Sequence, residues 1–163
     1  MDFFRRSEKR PTTFDHSRIL VPLVGEPEVD DPALKVAALL LAGRPETEVS
    51  LLHVIEVPFE RTLDAEDELA VTRADGVLSR AEALLAEKGV ATRTSTVQAR
   101  AAGPAIVDDA NELGTDLIVM GLRYKKRFGG QWHAGRTVPY VMRNSTAPVW
   151  CLRAETKELA HTT

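Results

Sequence analysis

Cysteine occurs once in the chain, as Cys151. An internal disulfide is therefore excluded, and a reduced, cytoplasmic setting is the simplest expectation. Cys151 lies in an apolar strand-like run, where a small buried hydrophobe is expected rather than a reactive thiol. No apolar run approaches the roughly 20 residues that a membrane span needs. The longest, Val36 to Ala42, reads as the core-facing part of a helix. Met1 is followed by Phe3-Phe4 and then by charges, which is not the pattern of a signal peptide. A strong net charge is missing too: the balance of −3 over 163 residues argues against a nucleic-acid-coating surface, and no specific nucleic-acid contact is expected.

The common catalytic signatures are also missing. There is no G-x-S-x-G elbow, no H-E-x-x-H and no C-x-x-C, so hydrolase, zinc-protease and thiol-redox chemistry lack their residues. The histidines, His16, His53, His133 and His161, show no metal-ligand spacing. His53 alternates within a strand and is expected to be hydrogen-bonded and structural. The pairs Asp30-Asp31 and Asp108-Asp109 are expected near helix starts, where carboxylates favour the helix dipole. No enzymatic activity and no metal site are expected.

What is present is a soluble globular composition, 44% hydrophobic and 28% charged, at the length of one domain. Residues 1–17 are polar and aperiodic, expected to form a flexible tail, and residues 154–163 form a second tail. Between them, residues 18–153 alternate strands with helices. Strands are predicted at Arg18–Leu23, Glu48–Val57, Ala91–Gln98, Asp116–Met120 and Val149–Arg153. Helices are predicted at Pro32–Ala42, Asp64–Lys88, Ala105–Leu113 and Thr137–Arg143. Asp31-Pro32 reads as a cap followed by proline at the first helical position, after an acidic loop over 25–31. In the second helix Leu69, Val77, Leu78, Ala81, Leu84 and Leu85 define the apolar face. Strand, crossover helix, strand throughout gives an α/β fold, a parallel sheet with helices on both faces.

The stretch from Asp116 to Arg136 stands apart. A short apolar strand breaks at Gly121 into a loop carrying Arg123, Lys125, Lys126 and Arg127, and Gly135 leads into a helix. With Arg136, residues 121–137 hold five basic side chains and no acid, leaving 16 basic against 24 acidic residues elsewhere. A strand, a glycine-marked basic loop and a helix start form the usual place for anionic ligands in α/β sheets. Neither G-x-G-x-x-G nor G-x-x-x-x-G-K-[ST] is present, and the first strand runs into Val24-Gly25-Glu26-Pro27. Side-chain charge rather than a glycine cradle is what the loop offers. Trp132, in the same loop, is expected to pack in the core or an interface.

RILVPLVG in the first strand, LLHVIEV in the second, ELGTDLIVMG in the fourth and VMRNSTAPVWCLR at the end occur in the order typical of one family. Over roughly residues 17–153 the chain resembles the universal stress proteins. GLRYKKRFGG and GRTVPYVMRN further resemble the universal stress-type domains attached to some amino-acid permeases. The resemblance implies an open five-stranded parallel sheet of order 3-2-1-4-5 and a homodimer paired through the last strand, here Val149, Trp150, Cys151 and Leu152. Nucleotide-binding members carry G-x2-G-x9-G-[S/T] after the fourth strand and an aspartate ending the first. Gly121 and Gly135 match the outer glycines, Tyr124 stands at the middle one, Arg136 replaces the hydroxyl residue with Thr137 behind it, and Val24 takes the aspartate position. The implied site is Gly121, Arg123, Lys125, Gly135, Arg136 and Thr137, and the implied cofactor, if one is bound, is ATP or another adenine nucleotide. Two functions follow as expectations: a non-catalytic regulatory module with a degenerate nucleotide loop, or a nucleotide binder using a remodelled basic one. In the first, the basic loop meets a protein or another anionic partner.

Overall fold

The computed structural model describes residues 15–123, 125–126 and 132–153. Among these residues, seven strands and four helices follow in the order β1 (Arg18–Leu23), α1 (Pro27–Leu41), β2 (Glu48–Glu56), α2 (Glu68–Ala86), β3 (Ala91–Ala99), α3 (Ala102–Glu112), β4 (Leu117–Gly121), β5 (Lys125–Lys126), β6 (Trp132–His133), α4 (Thr137–Asn144) and β7 (Val149–Leu152). Five strands form one parallel sheet in the order β3-β2-β1-β4-β7. With β7 as its fifth strand, this is the expected 3-2-1-4-5 sheet. The short strands β5 and β6 pair antiparallel, Lys125 opposite His133 and Lys126 opposite Trp132, so part of the expected loop is a ribbon.

Successive residues of a strand point to opposite faces, and both faces here are covered. Ile19, Val21 and Leu23 of β1 join Leu51 of β2 and Val119 of β4 in a layer beneath α1 and α2. Leu20, Leu52, Ile118 and Met120, one residue out of phase, meet Ile106 and Val107 of α3 and Val138 and Val141 of α4. The entry to β1 is pinned by Asp116, whose carboxylate accepts hydrogen bonds from the backbone N–H groups of Ser17 at 3.0 Å and Arg18 at 3.1 Å.

Three helix expectations are corrected. α1 begins at Pro27 and not after Asp31, so the expected acidic loop is its first turn and Pro32 lies inside it. Asp30 lies in the first turn of α1, near a helix start as expected, but its side chain does not cap that helix. It is buried and folds back to accept the N–H groups of Val24 at 2.9 Å and Gly25 at 2.8 Å. Asp31 reaches Arg80 of α2 at 2.9 Å. α2 starts at Glu68, because the Asp67 side chain accepts the N–H of Ala70 at 3.0 Å and caps the helix there. Leu69 therefore falls in an end turn and is 82% exposed, while Ala74, Leu78, Ala81 and Leu85 form the buried stripe. α3 opens at Ala102, which puts Asp108-Asp109 beyond its first turn. Burial, with Glu112 nearby, raises the Asp109 carboxyl above its ordinary range.

Candidate ligand cleft

Connections run from β1 toward β2 and β3 on one side of the sheet, and from β4 to β7 on the other. The segments leaving β1 and β4 therefore diverge, and a crevice opens at the carboxyl ends of these neighbouring strands. A cavity of about 510 Å³ lies there. It shares Val24, Glu56, Met120, Gly121, Arg123 and Thr137 with an adjoining cavity of about 380 Å³ that extends toward His53 and Arg73.

One wall is made by the first turn of α1. Gly121 ends β4 directly against Val29, and a Cβ at this position would collide with the Val29 backbone carbonyl oxygen. The glycine is thus required by a close approach of two backbones. Two residues on, the Arg123 guanidinium meets Glu26, with Nε 3.0 Å from Oε2 and the terminal Nη2 on Oε1. The ion pair bridges the segments that follow β1 and β4. Each partner remains partly exposed.

The opposite wall is the start of α4. Gly135 has φ +74°, a left-handed turn conformation open to glycine, and no neighbouring atom crowds it. The turn delivers Arg136 and Thr137 to the cavity. Arg136, the N-cap residue of α4, makes no side-chain cap hydrogen bond, and the first turn carries no acid. Behind it, Tyr140 packs so closely on Gly103 that a Cβ there would lie 2.9 Å from the ring. This contact fixes α4 against α3.

The floor is set by β1 and β2. Val24 is 43% exposed where the resemblance implies an aspartate. Glu56, the last residue of β2, turns its carboxylate onto the first N–H of α3, at 2.8 Å from Ala102 N. His53 Nδ1 lies 3.0 Å from the Leu23 carbonyl oxygen and donates to it, the structural role expected for this histidine. Burial pushes the Asp30 carboxyl above its ordinary range, and its two N–H partners and His53 oppose that shift.

Five of the six expected site residues, Gly121, Arg123, Gly135, Arg136 and Thr137, therefore line one cavity. Lys125 is described only in its backbone, and its side chain, like that of Trp132, lies outside the described residues, as do Tyr124 and Arg127. Glu26 and Glu56 went unnoticed in the sequence. The Glu26-Pro27 pair, read as a cap and first helical residue, is the signal that would have placed Glu26 beside the cleft. Among the described residues no cluster of histidine, cysteine and acidic side chains is positioned to hold a metal ion.

Comparison with known proteins gives the same answer as the architecture. The sequence matches the model of the Universal stress protein family over residues 16–153. No curated protein matches the chain. Among solved structures, a universal stress protein from Archaeoglobus fulgidus is 21% identical, with a TM-score of 0.70 and coverage of 85% of this chain and 100% of that one. The universal stress protein from Archaeoglobus fulgidus in complex with dAMP is 22% identical at a TM-score of 0.67, covering 85% and 98%. A universal stress protein in complex with cAMP is 17% identical at 0.66, covering 86% and 98%. These likenesses establish the shared fold. With the family match running from the first strand of the parallel sheet through the last, the chain belongs to the universal stress protein family.

Proposed function

We propose that the chain is a non-catalytic, cytoplasmic regulatory module of the universal stress type, with a degenerate nucleotide loop. The observation that carries this reading is the wall formed by α1. Its first turn occupies the backbone of Gly121, and Glu26 occupies the charge of Arg123. Val24 supplies no acid for a ribose or base. Mass analysis of the protein as purified tests the reading. No co-purified nucleotide is expected, and a stoichiometric adenine nucleotide would sink it.

The module acts as a homodimer through β7. Among the described residues this strand ends the sheet and pairs with β4, and Trp150 on it is 37% exposed. An apolar strand at the end of a sheet suits pairing with a second copy. Burial pushes the Cys151 thiol above its ordinary range, which suits a packing role at this edge. Trp150→Glu should halve the sedimentation mass, whereas an unchanged mass would exclude β7 as the interface. The basic loop is assigned to a protein or another anionic partner.

A second reading, adenine-nucleotide binding through a remodelled loop, has one observation in its favour. The cleft measures about 510 Å³, with Arg136 and Thr137 at a helix start whose N-cap residue makes no side-chain cap hydrogen bond. Structural neighbours in complex with dAMP and cAMP give this reading its ligand class.

A further inference from the structure

Arg123 is the guanidinium that both parts of the cleft share. In a cleft suited to anions it would be the natural partner of a phosphate, because its planar fork matches two oxygens at once. Here the fork is already matched. Nε and Nη2 bind the two oxygens of one carboxylate, that of Glu26. The carboxylate comes from the residue just before Pro27, and its own backbone carbonyl accepts the N–H groups of Val29 and Asp30, both at 2.9 Å. Helix α1 thus holds Glu26 in place, while Arg123 follows β4 across the crevice.

A second acid does the same at the next helix. Glu56 binds the N–H of Ala102, the first residue of α3, and lines both parts of the cleft. Two groups in the cleft that would attract an anion therefore hold protein carboxylates. Arg136 and Thr137 are left on the far wall.

We propose that Glu26 is the specificity-determining residue of this cleft, a resident counter-ion that discriminates against phosphate-bearing ligands by holding Arg123. The inference deepens the regulatory reading, on which it rests, by naming a residue that disfavours nucleotides. A nucleotide monophosphate gains the Arg123 fork only by displacing the Glu26 carboxylate, and then lies beside that displaced charge. A neutral nucleoside meets neither cost. The ion pair is half exposed, so the discrimination is modest, about five- to tenfold.

The experiment is a double-mutant cycle read by calorimetry, with AMP and adenosine as the probes, on wild type, Glu26→Gln, Arg123→Ala and the double variant. Thermal unfolding confirms that each variant folds. Glu26→Gln should bind AMP about five- to tenfold more tightly than wild type, with adenosine unchanged. In the Arg123→Ala background the same substitution should gain clearly less, because only the repulsion from the Glu26 charge is left to relieve. An equal affinity of wild type and Glu26→Gln for AMP, including no binding by either, overturns the proposal. A gain shared by adenosine, or one undiminished without Arg123, overturns it as well. Tight AMP binding by wild type would instead contradict the degenerate-site reading, while the ratio between variants would still decide the role of Glu26.

Discussion

Gly121 and Gly135 are the outer glycines of one loop, yet they serve different ends. Gly121 is buried, and its missing side chain lets the carbonyl of Val29 approach. Gly135 is exposed, with φ +74° and open space around it. The first glycine is committed to packing a helix of its own fold. The second turns the chain toward α4. The two walls of the cleft differ in the same way: among the described residues one is closed by protein groups, while on the other Arg136 is exposed and makes no side-chain cap hydrogen bond. A family motif can therefore persist at both ends while only one end retains access for a ligand.

Substitutions at the two walls should separate these roles. Gly121→Ala forces the Val29 backbone away and should lower stability by about 3 kcal/mol in urea unfolding. A variant as stable as wild type would mean that the first turn of α1 is not seated on β4. Asp30→Ala, on the same wall, removes the buried carboxylate that accepts the N–H groups of Val24 and Gly25. A loss of about 2 kcal/mol is expected by the same measurement. Gly135→Ala meets no neighbour and bears only the left-handed backbone cost, about 1 kcal/mol. If it proves as damaging as Gly121→Ala, the contrast between the walls fails.

The sheet was legible from sequence because buried parallel strands are nearly continuous apolar runs. Arg18–Leu23 was read with the bounds it has in the structure. The start of α1 was not, because two acid-proline pairs, Glu26-Pro27 and Asp31-Pro32, lie five residues apart and carry the same local signal. Packing on Gly121 and the fold-back of Asp30 select the earlier pair, and both are long-range or buried effects that local propensity does not contain. Leu69 fits the helical period but lies in the end turn of α2, where no layer covers it. The β5–β6 ribbon gave no warning, since Lys125-Lys126 lacks the alternation that marks a strand.

The cleft residues came mainly from family resemblance, and the structure brings Gly121, Arg123, Gly135, Arg136 and Thr137 to one cavity. Their partners were hidden for a physical reason. Glu26 lies 97 positions from Arg123, and Glu56 lies 46 from Ala102. Only the order of strands in the sheet makes them neighbours.

The central claim, that protein groups fill the phosphate side of this cleft, is tested most directly by titrating ATP into the wild-type protein in a calorimeter. The account predicts no binding up to about millimolar ATP, about −4 kcal/mol on the affinity scale. Micromolar binding that disappears in Arg136→Ala would contradict it.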